Sequence, residues 1–375
     1  MEQNPLKELG RLGQSVWLDY ISRELISGGG LRRLIDEDGL CGMTSNPAIF
    51  EKAINGSSVY EADIRALAQR GKDVQAIYEE LALGDVRAAA EVFAPVHHSS
   101  GGLDGYVSLE VDPRLAHDAA GTIAEGRRLW AALDRPNVFV KVPATKEGIA
   151  AIRALIAEGI NINVTLLFGI PRYREVIEAY LGGLEERKAA GKPVGSVRSV
   201  ASFFVSRIDT LVDQMLEGMI AAGGPEKELA ASLRGQVAID SAKVAYLIWK
   251  EAFKGQRFGR LGAQTQRLLW ASTSTKNPAY SPVKYVEALI GPETVNTMPL
   301  ETIEAYRAQG QPRSRLELDQ AEAGWALRRL AELGIGIDEV TQKLEDEGVD
   351  KFIKPFAALL GSIEKAAARA AHPVA

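Results

Sequence analysis

Apolar residues fall along the chain in two rhythms. Short runs rich in Val, Ile, Phe and Trp predict strands over 15–21, 41–45, 105–111, 137–142, 160–165, 198–204, 267–272 and 294–298. Longer stretches carry apolar residues three and four apart and predict amphipathic helices. One runs over 147–158, with Ile149, Ile152, Leu155 and Ile156 on one face, and others over 172–187 and 209–222. Strands alternating with helices imply a parallel sheet, and eight is the number that closes a (β/α)8 barrel, the TIM-barrel architecture. An open doubly wound sheet is the alternative. Its phosphate fingerprint is missing, because Gly28-Gly29-Gly30 has the wrong spacing and no Walker A sequence occurs.

A bare barrel needs about 250 residues, and the chain has 375. The surplus lies in mostly helical segments over 47–103, 206–258 and 316–371. No Pro-, Ser- or Gly-rich linker separates two halves. The expectation is one α/β domain over 1–375, a barrel with helical insertions and C-terminal helices. Within the tail, the charged run 345–351 reads as a solvated helix end and turn.

Composition narrows the function. Hydrophobic residues make up 46% and charged residues 25%, and the formal net charge is −5. There is no basic excess for nucleic acid and no apolar run of about 18 residues for a membrane span. The N-terminal Met1-Glu2-Gln3-Asn4-Pro5 lacks the pattern of a signal peptide. The single cysteine, Cys41, has no internal partner, fits a cytoplasmic protein and reads as a small buried hydrophobe. Four histidines, including the pair His97-His98, do not make a convincing metal set.

In such barrels the reacting groups sit at the C-terminal ends of strands. Asp19, Asn46, Glu110, Lys141, Asn163, Thr165, Ser202, Arg207 and Lys276 qualify by position. Lys141 is the sharpest. Alternation places it with Phe139 on one face, while Val138, Val140 and Val142 face the helices. A lysine inside the barrel is desolvated, which favours the neutral amine needed to attack a ketone and form an imine. The other reading is a lysine paired structurally with a buried carboxylate. Asp19 and Glu110 are candidate proton shuttles. Arg207 and Lys276, beyond the sixth and seventh strands, suit phosphate, with Ser202 and Ser272 as hydroxyl donors.

The chain resembles the transaldolase family, in its longer bacterial form. The resemblance rests on T-S-N-P-A-I-F (44–50), V-S-L-E-V-D (107–112), V-F-V-K-V-P-A-T (138–145), N-V-T-L-L-F (163–168), S-F-F-V-S-R-I-D (202–209), A-S-T-S-T-K-N-P (271–278) and T-V-N-T-M-P (294–299). The segment E-G-V-D-K-F-I-K-P-F (347–356) is also similar to this form. The resemblance implies a cofactor-free class I aldolase chemistry on sugar phosphates, with no metal. It implies Lys141 as the Schiff-base lysine and Asp19 as the acid/base for C–C cleavage. Glu110 and Thr165 would hold the water of imine formation and hydrolysis. Asn46, Asn163 and Ser202 would contact the dihydroxyacetone unit or order the site. Arg207 and Lys276 would clamp phosphate with Ser272 as helper, and Phe204 would lie beside the lysine. Lys276 stands where the family often has arginine, and a lysine meets phosphate as a point charge.

The implied reaction moves a dihydroxyacetone unit from sedoheptulose 7-phosphate to glyceraldehyde 3-phosphate. Competing readings are a fructose 6-phosphate aldolase of the same superfamily and a barrel that only binds sugar phosphates. Glu110, Phe204 and the length favour transfer over the aldolase. The presence of lysine, aspartate and glutamate together disfavours a non-catalytic barrel. The sequence leaves the choice between monomer and homodimer open.

Overall fold

The computed structural model describes residues 4–371. Residues 1–3, within the N-terminal segment read above against a signal peptide, and 372–375 lie outside them. Eight strands form a closed parallel barrel in sequence order: β1 (Gln14–Asp19), β2 (Gly42–Thr44), β3 (Tyr106–Glu110), β4 (Val138–Pro143), β5 (Ile162–Leu167), β6 (Ser199–Phe204), β7 (Gln266–Ala271) and β8 (Thr294–Met298). β8 pairs with β1 to complete the ring. The expected (β/α)8 architecture is therefore the observed one.

The largest strand shift is in β5, which starts two residues later than its apolar run. Asn161 stands just before it and ties three neighbours together. Its Nδ2 donates to the Pro136 and Val138 carbonyls, and its Oδ1 accepts from the Arg198 amide. The strand then continues to Leu167 through an irregular register with β6, with Leu166 at a φ of 53°.

The barrel interior is filled in layers. At the N-terminal end, Arg267 pairs with Asp104 at 3.1 Å and donates to Ser15 Oγ, while Ser15 and Trp17 both donate to Asp104. Above this buried ion pair, Trp17 stacks on Phe139 and Phe139 on Tyr106. Trp17 fits only because Gly42 has no side chain: a Cβ there would lie 2.5 Å from the indole. These rings make a solid floor, and the polar strand ends sit above it.

The surplus residues form helices where expected. Between β2 and β3 come Pro47–Asn55, Glu61–Gln69 and Val74–Ser99, and between β6 and β7 come Ser206–Ala222, Lys227–Leu233, Val237–Phe253 and Gln256–Gly259. After β8 come Leu300–Gln309, Trp325–Glu332 and Ile337–Ala371. The expectation of a solvated end and turn over 345–351 fails, because that run lies within the 35-residue helix Ile337–Ala371. Val349 is buried, and Glu345 is buried against Arg172. A charge-rich stretch can follow helical periodicity and still bury one face, which a reading by charge alone overlooks. This helix packs on all three helices inserted between β2 and β3. Among the described residues no helix is long and apolar enough to cross a membrane.

Candidate active site

Strand register brings the polar ends together. Asp19 at the end of β1 pairs with Thr44 of β2, Glu110 of β3 with Lys141, and Lys141 with Asn163 of β5. Thr165 lies opposite Pro143, two residues beyond the lysine. A cavity of about 450 Å³ opens at these ends, a size that holds a small metabolite. Asp19, Asn46, Lys141, Ser202, Phe204, Arg207, Ser272 and Lys276 line it.

Lys141 is buried, at 4% exposure. Its Nζ donates to the Ser45 carbonyl at 3.0 Å and lies 3.6 Å from Glu110 Oε2. Burial pushes the Glu110 carboxyl up to about 7, although the lysine charge acts in the opposite direction. Both Glu110 oxygens and Thr165 Oγ1 are buried with no hydrogen-bond partner among the described residues. Asp19 accepts from Thr44 Oγ1 at 2.7 Å, and that hydroxyl also meets Thr297 Oγ1. Burial raises the Asp19 carboxyl, while Lys141 and Arg207 pull it down. One carboxylate thus stands beside the lysine and another stands across the cavity wall.

The opposite end is cationic. The Arg207 guanidinium lies 5.5 Å from the centre of the Phe204 ring, and its Nη1 is buried without a partner among the described residues. Burial lowers the basicity of both Arg207 and Lys276. The Lys276 ammonium donates to Ser274 Oγ at 2.7 Å. Ser272 adopts a left-handed φ of 54° at the exit of β7, a conformation costing a non-glycine residue of order 1–3 kcal/mol. There its carbonyl accepts from the Ser206 amide, and its hydroxyl meets Ser206 Oγ at 2.9 Å. The strained turn thus ties the loop carrying Lys276 to the helix start carrying Arg207.

Three of the residues singled out from sequence do not line the cavity. Glu110 and Thr165 lie below it. Asn163, expected among the substrate contacts, is fully buried; it accepts from Ser202 Oγ and donates to Ser108 Oγ. Its geometry is that of a group ordering Ser202. Asn46 also has a second task, since its side chain caps the helix Pro47–Asn55 through the Ile49 amide.

Sequence reasoning missed Thr44, Lys52, Ser274, Thr297, Glu301 and Phe352, all of which line the cavity. Thr44, Ser274, Thr297 and Phe352 stand within motifs already quoted, and Lys52 and Glu301 stand beside two of them. Phe352 is carried by a helix remote in sequence, so strand-end logic could not find it. His97 packs edge-on against Tyr106, and no group of three or more potential metal ligands occurs among the described residues. Cys41 is half-buried, and burial pushes its thiol up to about 12, the environment of an unreactive thiol.

Fold and site together define the class, a (β/α)8 barrel with a buried lysine at a cavity on its strand ends. The family model described as Transaldolase/Fructose-6-phosphate aldolase matches residues 16–363. The chain is 46% identical to a protein named Transaldolase 2 from Nostoc sp., over 97% of this chain and 98% of that one. It is 47% identical to a transaldolase from Thiobacillus denitrificans, over 96% and 99%. A transaldolase from Mycolicibacterium smegmatis is 45% identical over 97% and 98%. The chain belongs to the transaldolase/fructose-6-phosphate aldolase family.

Proposed function

We propose that the chain is a transaldolase that moves a dihydroxyacetone unit between sugar phosphates through an imine on Lys141. Sedoheptulose 7-phosphate and glyceraldehyde 3-phosphate give erythrose 4-phosphate and fructose 6-phosphate, reversibly. The observation that carries the mechanism is the buried Lys141 amine, 3.6 Å from Glu110 at the floor of a cavity bearing Asp19 and two cations.

The ketose enters with its phosphate toward Arg207 and Lys276. Lys141 attacks the C2 carbonyl, and loss of water gives the imine. Glu110 and Thr165 hold that water; buried polar atoms demand a partner, and these have no hydrogen-bond partner among the described residues. Asp19 takes the proton of the C4 hydroxyl as the C3–C4 bond breaks, and the protonated imine accepts the electron pair. The aldose phosphate leaves and the three-carbon enamine stays. A second aldose phosphate is attacked by the enamine, and Asp19 returns the proton to the new hydroxyl. Water held by Glu110 then releases the ketose. The lysine supplies the electron sink, so no metal or cofactor is required.

The chain acts as one domain over 1–375, in the cytoplasm, as a monomer or homodimer; its single cysteine and lack of basic excess support that setting. The test is direct. Fructose 6-phosphate and erythrose 4-phosphate are mixed with the protein and the products followed by carbon-13 NMR. Formation of sedoheptulose 7-phosphate is expected. Free dihydroxyacetone and glyceraldehyde 3-phosphate, with no sedoheptulose 7-phosphate, would replace transfer by aldol cleavage.

A further inference from the structure

Among the described residues, Phe352 is the one contributed to the cavity wall by the C-terminal helix Ile337–Ala371. It is buried, and its ring centre lies 5.8 Å from Lys141 Nζ. The helix is held against the barrel on both sides of this ring. One turn earlier, Gly348 lies so close to β5 that a Cβ would stand 3.1 Å from Leu166 Cδ2. One turn later, Phe356 sits edge-on to Tyr78 with centroids 5.2 Å apart, and Tyr78 meets Phe50 in the same way. Further back, the partly buried pair Arg172–Glu345 fixes the helix to the one that follows β5. The ring over the lysine is therefore clamped in place.

An aromatic ring at that position donates and accepts no proton. What it does is occupy space beside the amine and keep water away. Water matters most at one point of the cycle. The enamine left after C–C cleavage has two fates. Its nucleophilic carbon adds to an aldose phosphate, which is transfer. Alternatively that carbon takes a proton to give the iminium, water adds to the iminium carbon, and the lysine leaves as an ammonium. This second route consumes one water and one proton and releases free dihydroxyacetone.

We infer that Phe352 is a specificity-determining residue: its ring shields the Lys141 enamine from water and so favours transfer over release. The inference rests on the reading of Lys141 as the imine-forming lysine. It assigns the C-terminal helix a part in the choice of reaction, beyond closing the fold.

The test compares the ratio of dihydroxyacetone release to transfer at a fixed concentration of erythrose 4-phosphate. A ratio is used because partial unfolding lowers both rates equally. In Phe352→Ala the ratio is expected to rise by about tenfold, equivalent to about 1.4 kcal/mol between the two barriers. Phe352→Leu, which keeps most of the bulk, is expected to show a smaller rise. Ile363→Ala disturbs the same helix further along, away from the lysine and from the contacts that hold the ring, and is expected to leave the ratio unchanged. An unchanged ratio in both Phe352 variants, with transfer by the unmodified chain intact, would overturn the shield alone. So would an equal rise in Ile363→Ala. Absence of transfer by the unmodified chain would overturn the shield and the imine reading together.

Discussion

Glu110 and Asp19 are both carboxylates pushed up by burial, yet they face different tasks. Glu110 stands 3.6 Å from the lysine, and burial pushes its carboxyl up to about 7. Only its ionised form can accept a proton from water. Below that pH it is protonated, so kcat/KM is expected to fall as pH drops through about 7. Glu110→Gln should remove this acidic limb and lower the rate about 10²–10⁴-fold, the usual contribution of a general base. A limb that survives in Glu110→Gln would reassign the titration. Asp19 acts on the C4 hydroxyl and not on imine formation. Asp19→Asn should therefore still give a borohydride-trapped adduct while losing C–C cleavage, so that trapping captures the intact ketose. At the cationic end, Arg207→Ala should raise KM for sugar phosphates about 10–100-fold, the worth of a charge-assisted hydrogen bond of about 1.5–3 kcal/mol. Dihydroxyacetone, which carries no phosphate, should be affected far less; equal losses for both would remove Arg207 from phosphate binding.

At the scale of elements, the site depends on a floor that does no chemistry. Trp17 in β1 packs where Gly42 of β2 leaves room. Gly42→Ala forces a methyl into the indole and is expected to lower stability by about 1–3 kcal/mol, read from the denaturant midpoint. A variant of unchanged midpoint would show that the ring can move aside. The strands were legible in the sequence because they are buried on both faces and so read as short, mostly apolar runs with a few polar positions. Lys141 among Val138, Val140 and Val142 is the clearest instance. The end of β5 was not legible, because the side-chain bonds of Asn161 and the left-handed Leu166 set its bounds. Glu345–Lys351 misled for the opposite reason. Its charges suggest solvent, while Val349 and Glu345 turn inward on a continuous helix. Ser274 escaped notice because Ser272, two residues before it, is equally polar; only the Lys276 contact distinguishes them.

For the whole molecule, closure of the barrel puts residues 19, 141, 207 and 276 around one cavity, with Glu110 buried beside Lys141. The helices inserted between β2 and β3 form a bed for the C-terminal helix, which carries Phe352 to the lysine. The opposite end is sealed by Arg267 and Asp104. Asp104→Ala leaves a buried guanidinium unpaired and is expected to cost about 3–5 kcal/mol. Loss of catalytic rate in the still-folded fraction is not expected, because that pair lies beneath the aromatic layer. The central claim is that Lys141 forms the imine, and borohydride trapping tests it most directly. The protein is incubated with fructose 6-phosphate, reduced, digested and examined by peptide mass spectrometry. The account predicts a three-carbon adduct on the peptide bearing Lys141, absent from Lys141→Ala. An adduct on another lysine, or none from folded protein that still binds the sugar phosphate, would contradict it.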